Sequence, residues 1–195
     1  MSANVWFEEV NTALLKEIQN SVRIKDESGI LVPLDSKAFI VRKPEEDFKF
    51  EVFPCISIYN LNHKFDPSRY NPALIKVGED IDNNSVIVEE PAIPFNLEYQ
   101  IDFWADYQTD MDYITRSWLS KHFRQFNLKV VDDGGVERAC NCLMKGSGTK
   151  SDLVLNGDRL FHTIMRLDIW VELDDQIRYS KFAVVDRDVN IQEKS

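Results

Sequence analysis

The sequence predicts an α+β fold, a mostly antiparallel or mixed β-sheet packed by two helices. Two amphipathic stripes at helical spacing and several segments that alternate apolar and polar residues carry this prediction. The chain has 195 residues, 44% of them hydrophobic, with 12 Phe, 6 Tyr and 4 Trp. That is enough to bury one sizeable core, whereas two domains would each be small. We therefore expect residues 1–195 to form a single domain, with residues 189–195 as a flexible tail.

Apolar residues that recur every three or four positions predict the two helices. In residues 4–20 the stripe consists of Trp6, Val10, Ala13, Leu14 and Ile18. In residues 110–124 it consists of Met111, Ile114, Trp118 and Phe123. Thr109 and Asp112 stand three residues apart and predict an imperfect capping box at the start of the second helix.

Strict alternation over residues 95–104 predicts the clearest strand, with one core face and one solvated face that holds Asp102. Residues 51–59 are apolar in both phases, which predicts a strand covered on both sides, with Pro54 near its start. A turn at residues 133–135 predicts a pair of strands around it. Residues 161–173 predict a long strand, and residues 178–185 its antiparallel hairpin partner.

Residues 60–94 form the least regular segment, because four prolines and clusters of Asp and Asn interrupt it. A short strand at residues 85–89 is expected inside it. Long irregular segments in compact domains are commonly functional or disordered. Since this one keeps Phe65, Tyr70 and Leu74, we expect an extended arm that orders against a partner. Residues 146–151 predict a second, flexible loop.

The formal charge of −10 disfavours DNA or RNA as the main partner, because nucleic-acid affinity depends chiefly on Lys and Arg. The first 19 residues mix acidic and apolar side chains, unlike a signal peptide. No apolar run approaches the length of a membrane span. The three cysteines and the absence of secretory features predict reduced thiols in a cytoplasm.

Local patterns that resemble reactive sites have simpler explanations. The segment 146–151 lacks the glycines of a Walker phosphate loop, at positions occupied by Thr149 and Met144. Cys140 and Cys142 form one C-x-C unit, which Cys55 and His162 could complete as a zinc site only by accident of folding. In a strand the two cysteines would share one face and pack as small hydrophobic residues.

The carboxylates of Asp102, Asp106, Asp110 and Asp112 could hold a divalent cation or share a proton. A solvated strand face and a helix N-terminus explain them more simply. For His162, an exposed strand face is expected. No nucleophile elbow or H-E-x-x-H motif is present. The sequence therefore predicts no cofactor, no metal and no catalytic residues, and a structural protein rather than an enzyme.

Three segments carry a resemblance to a known family: RKPEEDF at residues 42–48, FPCISIY at 53–59 and IPFNLEYQIDF at 93–103. They resemble the tail-terminator and neck proteins of contractile-tailed bacteriophages and the related caps of phage-like contractile particles. In that family a P-x-I-x-I strand leads into a Pro-Phe/Tyr-Asn-Leu strand that a helix follows. The resemblance spans residues 40–125.

The resemblance implies a virion protein, assembled in the host cytoplasm, that forms a ring at the head-proximal end of the tail. The ring is usually a hexamer, stops polymerisation of tube and sheath, and docks the neck or connector. The resemblance also implies a lumen wide enough for DNA to pass, with no sequence-specific nucleic-acid contact and no membrane contact. A head-to-tail interface that closes gives such a ring, whereas one that fails to close gives a filament.

Aromatic and arginine side chains dominate interface energetics, which makes the 60–94 arm the first candidate contact. The expected interface residues are Phe65, Arg69, Tyr70 and Leu74, with Lys145 and Lys150 around the second loop. Phe65 and Tyr70 could equally pin the arm to its own domain. Three other functions remain open: another neck, connector or baseplate component, a metal-dependent hydrolase, and a monomeric adaptor.

Overall fold

The structure is a computed structural model, which carries no ligand or partner chain. It describes residues 7–34, 38–41, 52–73, 75–80, 85–89, 91–131, 135–155, 158–173 and 178–182. Within strands, the side chains of residues 75–80, 85–89, 149–155, 158–159 and 178–182 lie outside that description. The predictions for Trp6 and residues 189–195 fall outside the described residues.

Two helices form where the apolar stripes predict them. Helix α1 spans Phe7–Ser21 and α2 spans Gln108–His122. Val10, Leu14 and Ile18 of α1 are fully buried at four-residue spacing. The capping prediction for α2 is wrong, because the helix starts one residue before Thr109. Its N-cap is Tyr107, which makes no side-chain capping hydrogen bond. Neither described helix is long and apolar enough to cross a bilayer.

Eleven strands are formed by the described residues: β1 Arg23–Lys25, β2 Leu31–Pro33, β3 Phe39–Ile40, β4 Cys55–Phe65, β5 Ile75–Asp80, β6 Ser85–Glu89, β7 Ile93–Ala105, β8 Gln125–Val131, β9 Glu137–Leu155, β10 Asp158–Leu173 and β11 Arg178–Phe182. Six of them form the main sheet in the order β3-β4-β7-β10-β9-β8. Its pairs are antiparallel except β3 with β4, so the sheet is mixed. The α+β fold class is confirmed.

The core lies between the helices and one face of this sheet. Alternate residues of the two central strands are buried on that face: Leu97, Tyr99, Ile101 and Phe103 of β7, and Thr163, Met165, Leu167, Ile169 and Val171 of β10. The Tyr99 hydroxyl donates a hydrogen bond to the Phe7 carbonyl of α1 at 3.4 Å. The long strand predicted at residues 161–173 is confirmed. Residues 55–58 are buried in both phases, as expected for a strand covered on both sides.

Three predictions about connections are wrong. Residues 60–94 are mostly strand, since β4 runs to Phe65 and β5 and β6 follow; the strand at 85–89 is confirmed. The segment 146–151 is no loop, because it continues β9, which is 19 residues long. Strand β11 pairs with β6 rather than with β10, in a three-stranded sheet ordered β11-β6-β5. Long polar stretches look like loops in sequence, but the backbone ladder does not require apolar side chains.

All three cysteines are reduced and buried, and Cys140 and Cys142 share the core face as predicted. Burial raises the pKa of the Cys140 thiol to about 11 and that of Cys55 and Cys142 further. Because the thiolate is the reactive form, the folded protein should react with Ellman's reagent only slowly at pH 8. The same protein in guanidinium chloride should release three equivalents at once. Rapid stoichiometric labelling of the folded protein would contradict this burial.

Candidate interaction surface

The turn after β4 is fixed to the start of β7 by a hydrogen-bonded cluster around Asp66. The Asp66 carboxylate accepts hydrogen bonds from the Ser68 hydroxyl at 2.6 Å, Arg69 Nε at 2.9 Å and Asn96 Nδ2 at 3.2 Å. The bonds from Ser68 and Arg69 lower the pKa of Asp66 to about 2. Arg69 Nη2 donates to the Phe95 carbonyl at 3.0 Å and to Asn96 Oδ1 at 2.9 Å. Arg69 is therefore held rigidly on its own sheet.

Phe65 and Tyr70 contact each other at this corner, with ring centroids 5.5 Å apart in an edge-to-face arrangement. Phe65 also lies edge-on to Phe95, at 6.2 Å. The Phe65 side chain nevertheless stays 45% exposed. The aromatic pair thus pins the turn to its own domain, and Phe65 still presents an apolar surface to solvent.

On the other face of the sheet, Trp170 is 38% exposed and forms one wall of a groove. The Arg69 guanidinium lies 5.7 Å from its ring centroid, within the range of a cation–π contact. The groove encloses about 500 Å³ and is lined by Arg69, Arg138, Ala139, Cys140, Asn141, Trp170 and Glu172. We call it the Trp170 groove. Trp and Arg are the residue types that most often carry binding energy at interfaces.

Lys145 lies beside this groove. Its ammonium pairs with Asp168 Oδ2 at 2.6 Å, which raises the pKa of the lysine. Asp168 stands two positions before Trp170 on β10, so both side chains belong to one sheet face. The structure thus brings the predicted Arg69 and Lys145 to the same face. The backbone of Lys150 in β9 pairs with that of His162 in β10, but the Lys150 side chain lies outside the described part of the structure. Leu74 also lies outside the described residues.

Sequence reasoning missed Trp170. A signal was present, because Trp170 is an apolar residue in the polar phase of β10, between Asp168 and Glu172. An apolar side chain in that phase lies on the outward face of a half-buried strand. Sequence reasoning also missed Asp66 and Asn96, because their role depends on a hydrogen bond between residues that are 30 positions apart in the chain.

A buried polar cluster lies further along the same face, around Asp102. Asp102 is 3% exposed and His162 6% exposed, so the predictions of a solvated Asp102 and an exposed His162 are wrong. Asp102 Oδ1 accepts hydrogen bonds from His162 Nε2 at 3.0 Å and Gln100 Nε2 at 2.9 Å. The Ser57 hydroxyl lies 3.4 Å from Oδ2. Burial would raise the pKa of Asp102, but hydrogen bonds from His162, Gln100 and Tyr59 outweigh it and lower the pKa.

The geometry of this cluster suits a structural role. Three neighbouring strands, β4, β7 and β10, each contribute a group to one carboxylate, which fixes their register. The carboxylate lies between Ser57 and His162, whereas a hydrolytic triad places the histidine between the hydroxyl and the carboxylate. The His162 ring stacks on Trp104 with centroids 3.7 Å apart. Among the described residues, no three His, Cys, Asp or Glu side chains converge as metal ligands.

The chain matches no protein-family model and no curated protein. Among solved structures, it is similar to the sheath/tube terminator of an extracellular contractile injection system, PVC, in its extended state. The TM-score is 0.45 and the identity 14%; the match covers 89% of this chain and 59% of that one. The chain therefore spans a little over half the length of that terminator. At this TM-score the likeness does not establish a shared fold.

Proposed function

We propose that this protein is a structural component of a contractile tail, a terminator that forms a ring at the head-proximal end and docks the neck. The observation that carries the proposal is the segment IPFNLEYQIDF, which carries the sequence resemblance and forms most of β7. Strand β7 pairs with β4, whose segment CISIY also belongs to the resemblance, and it leads into α2 after two residues. This strand–strand–helix order is the one that the resemblance implies.

The surface supports an assembly role rather than a catalytic one. Arg69, Trp170 and Phe65 combine rigid positioning with exposure, which limits the entropy lost on binding. The buried carboxylate of Asp102 is committed to hydrogen bonds within the sheet. In the proposal, tail tube, sheath and neck proteins are the partners, and the virion tail is the location.

Mass photometry of the purified protein, with negative-stain images of the same sample, tests the proposal. A closed ring of about six copies supports it, since head-to-tail contacts that close produce rings. If the protein is monomeric, purified tail tubes are added. Binding that caps tube ends supports the proposal, whereas failure both to form rings and to bind tubes overturns it. Binding only at the baseplate end would instead favour a baseplate component.

Replacing Trp170 with alanine should weaken assembly or tube binding by about 2 kcal/mol, roughly 30-fold, as for an exposed aromatic anchor at an interface. The fold should be largely unaffected, because the side chain is 38% exposed. Tyr107→Ala is the matched control, because Tyr107 is 68% exposed at the start of α2. Equal affinities of both variants and the unmodified protein, measured by mass photometry across concentrations, would exclude the Trp170 groove from the interface.

A further inference from the structure

Strand β9 has an edge that its own sheet covers only in part. Strand β8 pairs with β9 from Glu137 to Leu143, and β10 pairs with its other side as far as Leu155. Beyond Met144, no described residue pairs with the outer side of residues 145–155, which we call the β9 edge. An extended segment of this length covers about 35 Å. Unpaired backbone donors and acceptors along such an edge form a template for another strand.

The register shows which amides face outward. The Met144 amide donates to the Arg124 carbonyl at 2.7 Å, so Met144 faces the β8 side. Lys145 is the extra residue of a bulge, since Leu167 pairs with Met144 and Arg166 with Gly146. After the bulge Gly146 faces β10, and alternation then turns the amides of Ser147 and Thr149 outward.

The β9 edge contains no proline, a common protection of exposed edges, and one of its two lysines is held in an ion pair. Residues 145–155 contain no proline, and the Lys145 ammonium is held by Asp168 at 2.6 Å. At Gly146 and Gly148 a Cβ atom would meet nothing within 4 Å and φ is not positive, so the chain's own packing does not require glycine there. Strand β4 differs, because Asn62 Oδ1 accepts a hydrogen bond from the outward amide of His63 at 2.9 Å.

We infer that the β9 edge pairs with an extended strand of a second copy of this chain; the inference rests on the proposed function and names a contact that joins ring subunits. Charge favours this occupant, because the β9 edge carries Lys145, Lys150 and one acidic residue, Asp152, a net charge of +1, whereas the whole chain carries −10. Strand addition gains affinity from main-chain hydrogen bonds, which a polar, glycine-containing edge can supply. The β9 edge and strands β3 and β4 lie at opposite ends of the sheet. This arrangement suits a head-to-tail contact, which joins two different surfaces of neighbouring copies.

Hydrogen exchange measured by mass spectrometry on the unmodified chain tests this directly. In peptides covering residues 145–155, the outward amides should exchange rapidly in the dilute monomer and become protected at concentrations where the ring forms, whereas the amides that bond to β10 are protected in both states. Protection of the outward amides already in the monomer would mean that another part of the same chain covers the edge, which overturns the inference. Rings that form without protection overturn it too, and leave the proposed function standing.

Ser147→Pro provides the matched variant test. Proline removes the outward amide without removing a bond to β10, whereas Ser147→Ala retains the amide. The proline variant should raise the dissociation constant of the assembly by about tenfold or more, in line with the loss of one or two hydrogen bonds. The alanine variant should assemble as the unmodified chain does. Equal assembly of both variants overturns the inference; if the proline variant does not fold, the exchange experiment decides.

Discussion

Replacing Asp102 with alanine should lower the free energy of unfolding by about 3–5 kcal/mol, because removing the buried carboxylate leaves several buried donors unsatisfied, at about 1–3 kcal/mol each. In this protein the groups left behind are His162 Nε2, Gln100 Nε2 and the Ser57 hydroxyl, all in buried side chains. The ring nitrogen His162 Nδ1 already has no hydrogen-bond partner among the described residues. The variant would therefore leave the whole imidazole without a polar contact.

Urea denaturation followed by circular dichroism measures this loss. Asp112→Ala is the control, because Asp112 is an exposed carboxylate from the same acidic series. It should change stability little, as surface substitutions usually do. Similar losses in the two variants would mean that the Asp102 carboxylate does not anchor the three strands.

The dependence of the free energy of unfolding on pH, in the acid range, gives a second measure of the contribution of Asp102 to stability. Its pKa in the folded protein lies below the ordinary value, so its stabilising contribution is fully present above the unfolded-state pKa of about 3.9. That contribution is lost as the pH falls through the lower, folded-state pKa. Asp102→Asn keeps the shape of the side chain but cannot ionise. Its stability should therefore fall less steeply below about pH 4 than that of the unmodified protein.

Asp102 also shows what alternation in the sequence can and cannot predict. The pattern of residues 95–104 assigns Tyr99, Ile101 and Phe103 to the core, and all three are fully buried. It says nothing about the second face, which depends on chain segments far away in sequence. The polar residues of the alternating strand are then predicted to face solvent, although Asp102, which is one of them, is buried. His162 was misassigned for the same reason, because its partner lies 60 residues away.

Pairing between strands that are far apart along the chain could not be predicted from the sequence either. The turn at residues 133–135 predicts the β8–β9 pair, since both strands are adjacent in sequence. Strand β11 instead pairs with β6, about 90 residues earlier, although its sequence neighbour is β10. Residue type predicts Phe65, Arg69 and Tyr70 as interface residues, but only the fold places Arg69 beside Trp170.

Trp118→Ala should be as destabilising as Asp102→Ala, at about 3–5 kcal/mol, through a cavity instead of unsatisfied hydrogen-bond donors. Trp118 is fully buried on α2. Its ring stacks on His122 with centroids 3.9 Å apart and meets Phe126 of β8 edge-on at 5.8 Å. His122 in turn lies 2.8 Å from Glu17 of α1. The indole therefore fills the space where both helices meet the sheet.

Trp118→Phe separates the effect of lost side-chain volume from the effect of the indole N–H group. Among the described groups, the indole Nε1 has no hydrogen-bond partner, so phenylalanine removes a buried unsatisfied donor while it keeps an aromatic ring. The loss should be clearly smaller than for alanine. Chemical denaturation of both variants, monitored by circular dichroism, measures the difference. Equal losses would mean that the cavity does not determine the cost.

Comparing the alanine variants of Trp118 and Trp170 tests which of the two side chains stabilises the fold and which contributes to assembly. Trp118→Ala should reduce stability strongly; at temperatures where the fold survives, ring formation should persist because the side chain is inaccessible. Trp170→Ala should leave the unfolding midpoint nearly unchanged and weaken assembly, since its ring lies beside Arg69 on the surface. A variant of Trp170 that unfolds early and assembles normally would reverse the assignment, and would place the groove in the fold rather than in the interface.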